Sequence, residues 1–468
     1  MALARTLMIQ GTASSVGKTV LVAGLCRYFA NLGIRVAPFK SQNMALNSFA
    51  TADGHEMGRA QVVQARACRI EPRVEMNPIL LKPEADHRSQ VVVMGRVDGT
   101  FEAVAYYREK PRLLRVVESA LAALRAEHEL IVIEGAGSPA EVNLAEHDIV
   151  NMRVAELADA PVLLAGDIDC GGVFAALLGT LELLPARQRE RVKALLINKF
   201  RGDRSLLDPG LEFIAERTGK PVLGVVPYIR ELGLPEEDSV ALDSATGAGP
   251  IAVVKLPHIS NFDDFDPLPV RYVTRPHELE GAAAVILPGT KATVSDLAWL
   301  REQGLAAAIQ ASRLPLVGIC GGFQMLGQRI LDPLGMESLE PEVAALGLLP
   351  VDTVFATEKT TVQVRGMALA GGQALEAYQI HLGQTLLLDG AEPFARLSDG
   401  SPDGAVQGRV WGTYMHGLFH NAGFRASWLA SLGLQEPAES TAEPFNRLAG
   451  VLAESLDLEL LHRIAGIG

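Results

Sequence analysis

What this chain of 468 residues lacks narrows its identity quickly. It has no run of about eighteen uncharged apolar residues, so no segment is predicted to cross a bilayer. Thr6 to Gln10 leads straight into a glycine loop with no cleavable apolar region before it, and the expected location is the cytoplasm. There is no lysine or arginine block of the kind that tracks a phosphodiester backbone, and the net charge is −13. Nucleic acid is therefore not an expected partner. Cysteine is scarce: Cys26, Cys68, Cys170 and Cys320 stand far apart with no C-x-x-C pair, which argues against a disulfide framework or a zinc site and fits a reducing compartment. Internal repeats and low-complexity tracts are also missing. What remains, 48% hydrophobic and 21% charged, is globular composition, with length enough for two or three domains.

In the first half, short β-branched runs alternate with helical patterns: Thr6 to Gln10, Arg35 to Lys40, Ile131 to Glu134, Val162 to Ala165, Ala194 to Asn198 and Pro221 to Val226. This alternation predicts parallel strands with crossover helices. From Glu231 to Pro250 the pattern gives way to acidic residues, Pro235 and Ala-Thr-Gly-Ala-Gly-Pro, which is linker chemistry. A second α/β unit follows, with expected strands at Ile251 to Leu256, Ala283 to Leu287, Leu316 to Ile319, Val362 to Val364 and Ala377 to Ile380. The expected organisation is α/β with two domains, 1–232 and 251–468, joined by a linker at 233–250. Residues 75–130 form an insertion in the first.

Two stretches carry chemistry. Gly11-Thr12-Ala13-Ser14-Ser15-Val16-Gly17-Lys18-Thr19 departs from G-x-x-x-x-G-K-[ST] by having Thr12 at the first glycine position. Its backbone N–H groups and the following helix N-terminus can still surround a phosphate, Lys18 can neutralise it, and the Thr19 hydroxyl can ligate magnesium. Thr12 through Thr19 are thus candidate nucleotide-binding residues, and the alternative is a glycine turn with an incidental lysine. Strand ends offer helpers, since open parallel sheets bind ligands there. Glu134 reads as a metal or water ligand or else a loop acid, and Asp167 and Asp169 as weaker versions of it. Lys40 can reach phosphate or a substrate carboxylate, or can snorkel at the surface. Asn198 and Lys199 can read the adenine edge.

The second stretch is Gly318-Ile319-Cys320-Gly321-Gly322-Phe323-Gln324, a short strand, a cysteine and a helix. Such an elbow exposes a thiol at a helix N-terminus, where the thiolate is favoured. The backbone N–H groups of Gly289, ending a neighbouring strand, and Gly321 are candidates for holding an oxyanion. His416 is the preferred base, with His381 and His420 as competitors. The plain alternative is that Cys320 is a small buried hydrophobe.

These motifs bear a family resemblance. Gly11 to Thr19 and Glu134-Gly135-Ala136-Gly137 resemble dethiobiotin synthetases, while Gly318 to Gly327 and Thr413 to Gly417 resemble class I glutamine amidotransferases. Joined in this order they resemble the corrinoid amidases. Ser41 to Ser48, Met76 to Pro83, Asp148 to Met152, Ile259 to Leu268 and Tyr378 to His381 are similar to the cobyric acid synthases among them. The resemblance implies ATP- and glutamine-dependent amidation of the b, d, e and g carboxylates of adenosylcobyrinic acid a,c-diamide, with Mg2+ as cofactor. Implied partners are the corrinoid and glutamine, with a homo-oligomer compatible. It also implies Asp53 as a third metal ligand and Asp148 near the reaction intermediate. The nearest rival is amidation of the a and c carboxylates, and a rival of another class is a partitioning-type ATP switch, for which Cys320 and His416 would be useless. One departure stands out. Ordinary class I enzymes follow the histidine with Pro-Glu, whose acid orients the imidazole; here Gly417-Leu418 follows, so another group must fix the tautomer of His416.

Overall fold

The computed structural model describes residues 3–85, 88–229, 248–437 and 443–467. They fall into two α/β units, one drawn from 1–44, 57–234 and 440–468, the other from 45–56 and 235–439. The expected linker, 233–250, lies outside the described residues except for 248–250. Elsewhere the division departs from the expected ranges at two places, each with a packing reason given below. Among the described residues no helix is long and apolar enough to cross a membrane.

The first unit is built on six parallel strands in the order Val222–Pro227, Val192–Phe200, Val162–Asp167, Arg5–Gly11, Leu130–Glu134, Val36–Phe39. The central strands are nearly continuous apolar runs because helices cover both faces of a parallel sheet, and Leu130–Glu134 and Val162–Asp167 are buried at every residue. The helix Lys18–Asn31 turns Leu21 and Leu25 into the core. Its Gly24 receives Leu448 and Leu452 of the helix Pro444–Ser455 so closely that a Cβ there would lie 2.4 Å from Leu452 Cδ1. Tyr28 and His462 share a 2.8 Å hydrogen bond on the same side. The C-terminal helices thus complete the first unit's core, although the second domain was expected to run to 468. The insertion resolves into an antiparallel meander, Ile79–Ala85, Arg88–Val93 and Arg96–Glu102, followed by the long helix Ala103–Glu127.

The second unit has a sheet in the order Val270–Val273, Ile251–Val254, Ala284–Leu287, Leu316–Ile319, Val410–Thr413, Ala405–Gln407, parallel except for the last strand. A separate sheet is built around a long antiparallel pair, Val351–Ala368 with Ala374–Leu387. Residues 45–56 belong here because they are pinned here. The Ser48 amide donates to Asn261 Oδ1 at 2.8 Å, Lys359 pairs with Glu56 at 2.5 Å, and Gln363 donates to the Ala50 carbonyl at 3.1 Å.

Candidate active sites

In the second unit three adjacent parallel strands end together, and each delivers one part of a thiol site. Leu316–Ile319 ends in Cys320, whose φ of 52° and ψ of −109° put a non-glycine residue in a costly conformation at the head of the helix Gly321–Leu326. The turn is possible because Gly322 has no side chain: a Cβ there would fall 2.0 Å from the Leu287 carbonyl oxygen. Ala284–Leu287 leads into Gly289 and Thr290, and the position a Cβ would take on Gly321 is only 3.2 Å from the Thr290 nitrogen. The Gly289 loop therefore lies against the elbow, the arrangement from which two backbone N–H groups can converge on an oxyanion. Val410–Thr413 leads into Tyr414, Met415 and His416, and the Thr413 carbonyl accepts the Cys320 amide at 2.8 Å.

His416 is 1% exposed and interacts electrostatically with Cys320, whose Sγ donates to the Ile380 carbonyl at 3.5 Å. Its Nδ1 lies 2.7 Å from Asp264 Oδ2, while the other oxygen of Asp264 accepts the Gly417 amide, also at 2.7 Å. Asp264 is thus the orienting acid absent after His416, supplied from 152 residues upstream on the short turn Phe262–Phe265. With Nδ1 committed to the carboxylate, Nε2 is left to face the sulfur. Burial alone pushes the imidazolium down, but Asp264 and then the Cys320 sulfur outweigh it and hold His416 up to about 10. Tyr378 stacks on the ring, with centroids 5.3 Å apart, and pairs with its backbone in both directions.

The competing histidines are differently employed. His381 Nδ1 bonds the Gly383 carbonyl at 2.7 Å, and burial lowers its pKa to about 4, so the ring is neutral at pH 7. It stacks on Tyr414 at 3.8 Å. His420 Nε2 is 3.1 Å from the Asp263 carbonyl oxygen.

In the first unit the phosphate loop leaves the strand Arg5–Gly11 and enters the helix Lys18–Asn31 through Gly17, at φ 91°. A Cβ on Gly17 would collide with Asn198 Nδ2 at 2.3 Å, so only glycine fits both the dihedral and the space. Asn198 donates to the Val16 carbonyl at 2.8 Å and Lys199 to that of Ser15 at 2.6 Å, while Lys199 also pairs with Asp167 at 2.8 Å. These residues thereby brace the loop, and the Asn198 Nδ2 group expected at an adenine edge is engaged with it. Lys18 bridges the carbonyls of Ala13 and Gly137 at 2.9 and 3.2 Å. Glu134, 1% exposed, gathers the rest. Its Oε1 takes the Thr19 hydroxyl at 2.9 Å and the Lys40 ammonium at 2.8 Å, and its Oε2 takes the Gln64 amide at 2.5 Å.

Two further expected residues have local partners of their own. Asp53, the expected third metal ligand, lies in the segment pinned to the second unit, its side chain 68% exposed and its carboxylate bonded to Thr51 and His55. Asp148 spends its carboxylate capping a chain reversal, accepting the amides of Val150, Asn151 and Arg153 at 2.7 to 2.9 Å. It does border a cavity of about 360 Å³ shared with Lys110 and Arg153. Sequence reasoning missed Asp264 and Gln64. A signal for the first existed in Phe262-Asp263-Asp264-Phe265, two acids between buried aromatics. Gln64 gives none, since a glutamine on a helix looks like surface.

Comparison with known proteins gives two family matches along the chain. Residues 7–240 match the CobQ/CobB/MinD/ParA nucleotide binding domain, and residues 250–424 the CobB/CobQ-like glutamine amidotransferase domain. A cobyric acid synthase of Sorangium cellulosum is 52% identical, with 99% of each chain covered. One of Herpetosiphon aurantiacus is 48% identical over 99% of each, and one of Desulforudis audaxviator 50% identical over 99% of this chain and all of that one.

Proposed function

Because the chain belongs to the cobyric acid synthase family, we propose that it amidates the b, d, e and g carboxylates of adenosylcobyrinic acid a,c-diamide, consuming ATP and glutamine and yielding adenosylcobyric acid. The observation that carries this reading is the presence on one chain of a Cys320–His416–Asp264 triad and a phosphate loop whose Thr19 converges with Lys40 on Glu134. The first unit is the synthetase and the second the glutaminase.

In the glutaminase, Cys320 Sγ bonds to the amide carbon of glutamine, and the oxygen that becomes negative is received by the N–H groups of Gly289 and Gly321. His416 gives its proton to the departing nitrogen, the C–N bond breaks, and ammonia leaves a glutamyl thioester. Water activated by His416 then releases glutamate and restores the thiol.

A carboxylate is a poor acyl donor because its leaving group would be oxide. In the synthetase, the γ-phosphoryl group passes from ATP to a corrinoid carboxylate oxygen, ADP leaves, and ammonia then displaces phosphate from the acyl carbon. Lys18 and the amides of Thr12 to Thr19 hold the phosphates. Thr19 and Glu134 present hard oxygen donors 2.9 Å apart, a fit for Mg2+, which would spread phosphate charge. Among the described residues no group of three or more His, Cys, Asp or Glu forms a complete cage.

The test is mass spectrometry of the corrinoid after incubation of the purified chain with the a,c-diamide, ATP, Mg2+ and glutamine. Four hydroxyl-to-amino exchanges are expected. An unchanged corrinoid would remove the assignment.

A further inference from the structure

Ammonia freed at Cys320 is useful only while it keeps its lone pair, and any acidic group it meets would turn it into unreactive ammonium. A primary amide avoids this: its oxygen accepts an N–H of ammonia, its NH2 donates to the lone pair, and neither titrates near neutrality. Asn47 is an amide of this kind. It is 1% exposed, and neither Oδ1 nor Nδ2 has a hydrogen-bond partner among the described residues. Buried polar groups almost always find partners, so a doubly unpaired one points to a partner that comes and goes.

The residues after Asn47 fix it to the frame of the thiol site. The Ser48 amide is on Asn261 Oδ1 at 2.8 Å, and Asn261 follows Ser260, whose amide is bonded to the Gly289 carbonyl at 2.9 Å. Phe49 packs on Tyr378, centroids 5.0 Å apart, and Tyr378 is the ring stacked on His416. Asn47 is thus joined through its two successors to the oxyanion loop and to the base.

We propose that Asn47 is a hydrogen-bonding station for ammonia leaving Cys320. The proposal rests on the glutaminase and synthetase assignments above. Its test is the number of corrinoid amides formed per glutamine hydrolysed, measured beside amidation supported by ammonium chloride, in the full chain and in Asn47→Leu and Asn47→Asp. Leucine removes both hydrogen-bonding groups, and aspartate keeps the shape but traps ammonia as ammonium. In both, amides per glutamine should fall at least about fivefold, the worth of one or two hydrogen bonds, with a smaller loss on ammonium chloride. A ratio equal to wild type in both variants, as water at the site would give, overturns the proposal, as does equal loss with the two nitrogen sources. A wild-type chain that forms no amide from either source would overturn the underlying assignment instead.

Discussion

The two sites of this chain are prepared in opposite ways. At the thiol site the reacting groups already hold the arrangement the reaction needs, with Cys320 strained on its elbow, His416 facing it and Asp264 behind His416. At the phosphate site the groups hold each other. Lys18 lies on two carbonyls, and Thr19, Lys40 and Gln64 all converge on Glu134. The difference follows from charge. Glutamine's amide is neutral and creates its charge only during reaction, so dipoles can be set in advance. A nucleotide brings its charge with it, so buried Lys40 and Glu134 must neutralise one another until substrate exchanges the partners.

The largest effects should come from separating the sites. Cys320→Ala should abolish glutamine-driven amidation, by about 10⁴-fold or more on the scale of lost nucleophiles, while amidation from added ammonia persists. Lys18→Ala should disable the other site, losing amidation with either nitrogen source. Parallel assays with glutamine and ammonium chloride check both. Loss of both activities in Cys320→Ala would mean that the cysteine serves the synthetase unit.

A smaller change probes how the thiol site is held. Asp264→Asn keeps the shape but removes the charge, and kcat for glutamine hydrolysis should fall by roughly 10²- to 10⁴-fold, with KM moved far less. The pH profile gives a sharper readout. Asp264 raises His416, so the imidazolium persists in wild type until pH passes about 10. Without the carboxylate, burial is the dominant influence and favours the neutral ring, so the alkaline limb of the profile should move to lower pH. A limb that stays in place would show that Asp264 does not govern His416.

Legibility in the sequence divided along the same line. Parallel strands were readable because their apolar runs are local, and Leu316–Ile319 coincides with the expected Leu316 to Ile319. Arg5–Gly11 differs from its expectation by one residue at each end. The Cys320 elbow and Gly17-Lys18-Thr19 were readable because their glycines and spacing are contiguous. What escaped was set by packing between distant residues: Asp264 behind His416, Gln64 on Glu134, and Leu448 and Leu452 against Gly24. The insertion escaped for another reason. Arg96–Glu102 is mostly exposed and carries little apolar alternation, and the helix Ala103–Glu127 contains Pro111, which ordinarily marks a helix end.

The smallest effect tests whether the support of the thiol site is as preset as the site itself. Asp403 is buried beneath it, accepting the Thr413 hydroxyl and, at 2.7 Å, the Gln379 amide; Thr413 in turn accepts the Cys320 amide through its carbonyl. Burial raises the Asp403 carboxyl to about 6 despite those hydrogen bonds. Between the ordinary aspartate value near 4 and this one, the folded chain keeps a proton that the unfolded chain has lost, so this group's contribution to stability falls as pH rises through that window. Asparagine cannot ionise, and Gln379 can turn its amide over to accept from it. Asp403→Asn should therefore lose little activity, within about threefold for a change that spares the reacting groups. Compared with wild type, its melting temperature should rise steadily from pH 4 to pH 6 and level off above. A difference that does not change with pH would mean Asp403 stays charged beneath Cys320, a second fixed anion at the thiol site beside Asp264.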